Sequence, residues 1–171
     1  MEELRNKSDI ILDELKRRSS KREIVDVDEA IVKIVVFLLQ NSYYGFYGED
    51  VKEILHVPEI CYVPATADFV MGVINLRGDI EAVLSINKFL GLPDSETSLS
   101  SRIAIIQKNA VRAGVLVDAV EDVLDIPTSS TKQPLSTLNN AVKEYVVGEI
   151  IYRDKSVTIL DVEKIFLKIM Q

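Results

Sequence analysis

The apolar residues of this chain come in short runs, and this limits what it can become. The longest, IVVFLL at 34–39, is six residues, where a membrane-spanning helix needs roughly 20. The others are as brief, rich in Val and Ile, and separated by Gly, Pro, Asn and Asp. Short strands at regular spacing, joined by tight and helical turns, describe an all-β barrel. The clearest case is GVINLRGDIEAVLSI at 72–86. Val73, Ile74 and Leu76 feed one strand, Ile80, Val83, Leu84 and Ile86 the next, and the turn is expected at Gly78-Asp79, since Gly78 can adopt positive φ. Arg77 stands beside it. With its stem packed and its head exposed it suits a partner's carboxylates or carbonyls, although a solvated turn arginine is the simpler alternative.

Other elements follow from the same signals. Strands are expected at 34–39 and 43–47 through an Asn41-Ser42 turn, then at 102–107, 111–117 and 123–126, and finally at 145–152 and 156–160 through Arg153-Asp154-Lys155. Residues 49–55 read as a short helix with Val51, Ile54 and Leu55 on its apolar side and Glu53 elsewhere. Pro58 and Pro64 bracket a short edge strand at 59–63, and a helical turn is expected about 66–71. Asn87 to Leu90 forms one helical turn closed by Gly91, and the polar loop 91–101 is the expected seam between two halves. Residues 127–140 form a polar loop or weak strand, and Asp161 caps a last helix ending near Ile169.

Residues 1–30 differ in character. Leu4, Ile11 and Leu15 share a helical face with Ser8 as cap and Asp9 in the first turn, and the basic end Lys16, Arg17, Arg18, Lys21 and Arg22 is either a solvated helix terminus or a docking arm. No signal peptide is expected, because these residues alternate charges without an apolar core, so the chain reads as cytoplasmic.

Composition narrows the chemistry. With 47% hydrophobic and 27% charged residues the chain is globular. Its net charge of -7, with 18 acids against 12 bases in residues 34–171, argues against nucleic acid as a partner. Small barrels that bind oligonucleotides want a basic groove with exposed aromatics, and Tyr43, Tyr44 and Tyr47 are more economically core or edge residues. His56 and Cys61 are the only residues of their kinds, so neither a catalytic triad nor a metal set can be assembled around them. The acids Asp118, Glu121, Asp122 and Asp125 alternate with Val and Leu and read as a polar face, without the glycine-bearing loop of a calcium site. No phosphate-cradling glycine motif occurs. No catalytic residue, cofactor, metal or direct membrane insertion is expected.

Four motifs in order carry a specific resemblance. NLRG at 75–78 after a Gly-Val-Ile strand, Tyr44-Gly45 followed by VKEI at 51–54, GVLVDAVEDVLDI at 114–126 and YVVGEIIYRDKSVTILDVEKIF at 145–166 together resemble the CheW family of chemotaxis coupling proteins. The resemblance covers roughly residues 34–170, within an expected domain at 31–170. It implies a mainly β fold of two SH3-like five-stranded barrels that share a hydrophobic core, with short helices and a C-terminal helix. It also implies a non-catalytic adaptor between the cytoplasmic tip of a methyl-accepting chemoreceptor and the regulatory domain of a CheA-type histidine kinase, recruited to the inner face of the membrane through receptor arrays. Family contact surfaces then carry over to Val51, Glu53, Ile54, Gly72, Asn75, Arg77 and Gly78. Ala82, Ser85 and Asn87 stand where the family commonly has proline, aspartate and arginine, which marks a divergent member. A gliding or twitching pathway is an alternative setting for the same scaffold, and a barrel binding another ligand is an alternative role.

Overall fold

A computed structural model describes residues 11–16, 29–134 and 138–171. Leu4, Ser8, Asp9, Arg17, Arg18, Lys21 and Arg22 lie outside the described residues. Residues 11–16 are helical, and Ile11 and Leu15 are exposed there.

Among the described residues ten strands form two sheets. They are β1 (Ile31–Leu39), β2 (Ser42–Tyr47), β3 (Val51–His56), β4 (Val70–Leu76), β5 (Asp79–Leu84), β6 (Arg102–Lys108), β7 (Val111–Val117), β8 (Ala119–Pro127), β9 (Val146–Tyr152) and β10 (Lys155–Leu160). The first sheet has the order β8-β1-β2-β10-β9 and the second β3-β6-β7-β5-β4. The chain thus starts one sheet, builds the other from five consecutive strands, and returns to finish the first. It crosses over at the 3-10 turn Gly48–Asp50 and again at Asp118, between β7 and β8. The loop 91–101 therefore joins β5 to β6 inside the second sheet, and the expected seam there is corrected.

Each unit is tied across its own edges. In the first, the Tyr152 hydroxyl on β9 donates to Asp122 Oδ2 on β8 at 2.9 Å. In the second, Arg77 at the β4–β5 turn reaches Glu53 on β3. Each also has a small interior cluster: Ile34, Val36, Ile150, Tyr152, Val157 and Ile159 in one, and Ile74, Val83, Ile103, Ile105 and Leu116 in the other. Between them lies a larger core fed by both sheets. Phe37, Leu39 and Phe46 meet Leu84, Ile106 and Val115 there, and the C-terminal helix Val162–Ile169 adds Ile165 and Phe166. That helix starts as expected, with Asp161 Oδ1 accepting from the Lys164 amide at 3.2 Å.

Three short elements differ from the sequence reading. Residues 49–55 are not a helix: the 3-10 turn ends at Asp50 and β3 begins at Val51. No strand forms at 59–63; proline on both sides leaves one bridge, Cys61 to Val73, with amide-to-carbonyl distances of 2.8 and 2.9 Å. The helical turn expected about 66–71 shrinks to one hydrogen-bonded turn, closed by the Val70 amide on the Ala67 carbonyl at 2.9 Å, because β4 begins at Val70. Two of the expected turns also shift back by one residue, and the third gives up Lys155 to β10. The central pairs are Gln40-Asn41, Arg77-Gly78 and Arg153-Asp154, each with both residues at positive φ, the geometry whose twist suits a two-residue hairpin.

Candidate functional site

Of the seven residues singled out by resemblance, Glu53, Asn75, Arg77 and Gly78 meet at the β4–β5 turn, while Val51 and Ile54 project from the other face of β3 and Gly72 lies near the start of β4. Register assigns their faces, since directly opposed residues of an antiparallel pair project to the same side. Glu53 opposes Ile105 and Leu55 opposes Ile103, so both face the unit's interior. Val51 opposes Ile106 and Ile54 opposes Ala104, so these two share the other face. Val51 packs on the shared core, while Ile54 is 37% exposed. A register shift between Val51 and Glu53 makes this arrangement. Without that bulge Val51 and Glu53 would point the same way. The expectation that Val51 and Ile54 lie together and Glu53 elsewhere holds, but on a strand, and Leu55 belongs with Glu53.

Arg77 has a φ of +52° and Gly78 of +91°. Asn75 supports the turn from within, its Oδ1 accepting from the Gly78 amide at 2.8 Å. The Arg77 guanidinium forks onto Glu53: Nη1 donates to Oε2 at 2.9 Å, and Nη2 bonds Oε1. The arginine side chain is 70% exposed and the glutamate 26%. An exposed pair like this contributes little stability, but its two parallel bonds fix a geometry. That hydrogen bond, reinforced by the charges of Arg77 and Arg112, holds the Glu53 carboxyl below the usual glutamate range against the opposing effect of desolvation. The same bond raises the Arg77 guanidinium.

Two residues that the sequence did not single out complete the group. Glu81 on β5 is buried and pairs with Arg112 Nε on β7 at 3.0 Å. Glu81 opposes Ile74, and Arg112 shares its side of β7 with Leu116, so both face the same interior as Glu53. The parallel pairing of β5 with β7 brings them together, a contact that no local motif announces. Glu53, Arg77, Glu81 and Arg112 thus form an alternating set of two acids and two bases at the mouth of the unit.

Gly72 plays another part. It is buried, and a Cβ there would lie 2.3 Å from the Cys61 carbonyl oxygen. Its φ of +148° is itself a conformation that other residues rarely adopt. Gly72 therefore permits the close approach of β4 to Cys61 and offers no side chain to a partner. Ile80, on the outer face of β5 opposite Asn75, is 67% exposed and stands next to the Arg77-Gly78 turn.

His56 and Cys61 are both exposed. Among the described residues no group of three or more His, Cys, Asp or Glu could hold a metal ion, and no helix is long and apolar enough to cross a membrane. The arrangement provides a fixed turn, an exposed apolar side chain and a charge-balanced mouth, the parts of a recognition surface.

A family model described as the CheW-like domain matches residues 33–170. The chain is 33% identical to chemotaxis protein CheW of Bacillus subtilis over 97 residues, which are 57% of this chain and 62% of that protein. It is 27% identical to chemotaxis protein CheW of Helicobacter pylori over 144 residues, 82% of this chain and 85% of that one. Similarity extends to protein PilI of Pseudomonas aeruginosa, 27% identical over 62% of this chain and 59% of that one. Among solved structures, the scaffolding protein TtCheW from Thermoanaerobacter tengcongensis matches with a TM-score of 0.70 and 33% identity, covering 80% of this chain and 88% of that one.

Proposed function

We infer that this chain, which belongs to the CheW family, is a non-catalytic adaptor that couples chemoreceptors to a histidine kinase in a chemotaxis array. Its partners are then the regulatory domain of a CheA-type kinase and the cytoplasmic tip of a methyl-accepting chemoreceptor, and its place is the inner face of the membrane, where receptors recruit it. Such an adaptor works by linkage. Holding both partners in one assembly lets a small receptor movement bias the kinase between its on and off populations.

The observation that carries this reading at the level of residues is the clamped NLRG turn. Arg77 and Glu53 fix the turn to β3, and Ile80 beside it leaves a large apolar side chain in water on a rigid strand. Buried apolar anchors flanked by oriented charges supply most of the affinity in protein interfaces. Arg77 orients this surface from within, because its guanidinium is already engaged by Glu53.

The test measures affinity for a purified kinase regulatory domain and for a receptor tip, with wild type, Ile80→Asp and Arg77→Ala. Ile80→Asp should weaken one partner by about tenfold or more and leave the other unchanged. Arg77→Ala should weaken that same partner without lowering the unfolding midpoint appreciably. Failure of the wild-type chain to bind either partner would overturn the coupling reading. Equal loss of both partners in Ile80→Asp would overturn the placement. A nucleic-acid-binding barrel has little in its favour, given the acidic body. The receptor recovered with the wild-type chain would distinguish chemotaxis from a gliding or twitching pathway.

A further inference from the structure

We propose that the cavity lined by Asp68, Met71, Ser85, Asn87, Asp94 and Leu116 is a binding site for a guanidinium group on an alkyl stem. It goes beyond the coupling reading, uses none of the residues at the Glu53–Arg77 mouth, and can be tested without kinase or receptor.

Asn87 carries the argument. Only 2% of its surface is exposed, and its Nδ2 donates to the Pro93 carbonyl at 2.8 Å and to Ser95 Oγ at 3.0 Å. Both amide hydrogens are thereby committed to the loop, which orients the amide. Its Oδ1 accepts no hydrogen bond among the described residues. No side-chain oxygen among them is both sealed from solvent and unpartnered, so Oδ1 keeps some contact with solvent, and Asn87 is one of the walls of this cavity. An amide fixed in the wall of a cavity, with its oxygen uncommitted, offers an acceptor to a donor bound there.

The other walls say which donor. Asp94 and Asp68 bring negative charge to the rim. Asp94 is in no ion pair among the described residues, and Asp68 has only Lys88 at 3.6 Å, with most of its own side chain in water. Asp94 is held in place from the other sheet, because Gln40 Nε2 donates to the Asp94 carbonyl at 3.2 Å and to Ser95 Oγ at 3.1 Å. Ser85 adds a hydroxyl, while Met71 and Leu116 supply an apolar surface for a stem. The volume of about 240 Å³ is smaller than most small-molecule pockets, which run from roughly 300 Å³ upward, but admits one long side chain or its analogue.

A planar cation with several donors in a fixed fork can serve an amide oxygen and a carboxylate at once, with its stem on Leu116 and Met71. An ammonium is more strongly hydrated and offers fewer donors. The same guanidinium chemistry could arrive as a small molecule or as an arginine side chain of a protein.

The full chain, uniformly labelled with 15N, is titrated with butylguanidinium, with N-acetyl-arginine amide and with its neutral isostere N-acetyl-citrulline amide. Expected are saturable amide shifts confined to residues 85–95 and the neighbourhood of Leu116, from the two cations and not from the citrulline compound. In Asp94→Asn, a change at an exposed carboxylate without a hydrogen-bond partner among the described residues, binding should weaken about tenfold. Comparable affinities for the two cations would identify a small-molecule guanidinium site; clearly tighter binding of the arginine amide would identify a seat for an arginine of a protein segment. The proposal is overturned by any of three results: no saturation with either cation, an unchanged response in Asp94→Asn, or equal binding of the citrulline compound.

Discussion

Arg77 occupies the left-handed region at a φ of +52°, a conformation that costs a side-chain-bearing residue on the order of 1 kcal/mol. The turn keeps it there because Asn75 holds the Gly78 amide and Glu53 holds the guanidinium. Protonating Glu53 removes the second of these supports. Because its carboxyl is held below the ordinary value of 4.5 in the fold, the charged form contributes stability that is fully present above that value. That contribution is lost as pH falls through the lower folded pKa. Arg77→Gln should therefore move the Glu53 titration midpoint upward, toward the ordinary glutamate range, as read from its carboxyl carbon by NMR. An unmoved midpoint would mean that the pair does not persist in solution. At neutral pH the clamp is fully charged, so its orienting role does not vary over the range in which cells live.

Among the elements, β4 is the one whose position depends most on a single residue. Its ladder with β5 shifts register between Val70 and Gly72, and Val73 bonds Cys61 in both directions. Adding a methyl at Gly72 places carbon 2.3 Å from the Cys61 oxygen at a φ of +148°, whereas at Gly78, with a φ of +91°, a Cβ meets nothing within 4 Å. Gly72→Ala should thus cost about 2 kcal/mol or more, through strain and a displaced neighbour, and Gly78→Ala about 1 kcal/mol, through φ alone. Urea unfolding midpoints of the two variants check the order, and equal losses would show that β4 does not approach Cys61 so closely in solution. The hairpin itself was readable in the sequence because alternation on both sides of a glycine leaves few other options. Strand β7 and the capped final helix were readable for similar reasons, a bounded Val-rich run and an Asp161 cap. Strand β3 was not. A three-residue spacing of Val51 and Ile54 imitates a helix, and only the bulge at Lys52, a product of pairing with β6, gives a strand that spacing. Likewise the site's local part, Glu53 and the NLRG turn, carried a motif. Glu81 and Arg112 meet only after β5 and β7 align in parallel, a long-range event without local signature.

At the scale of the whole molecule, the two units are not independent barrels that happen to be adjacent. The shared core takes Phe37, Leu39 and Phe46 from one sheet and Leu84, Ile106 and Val115 from the other. The second sheet is also inserted within the first in chain order, so the first cannot be completed until the chain has passed through the second. Removing side-chain volume at the junction should therefore loosen both. Leu84→Ala, at a residue 2% exposed, should cost on the order of 2 to 5 kcal/mol. Global unfolding measured by urea should stay a single transition, with amide exchange accelerating by a similar factor in β1 and β6 alike. Ile105→Ala, inside the second unit's own cluster, should give the same pattern if cooperativity spans the molecule. A biphasic curve, or faster exchange confined to β3–β7, would instead describe two units that melt separately. The distinction bears on coupling. An adaptor that holds two partners can transmit a bias between them only if the surfaces they grip keep a fixed relation, and a core common to both sheets is what would keep it.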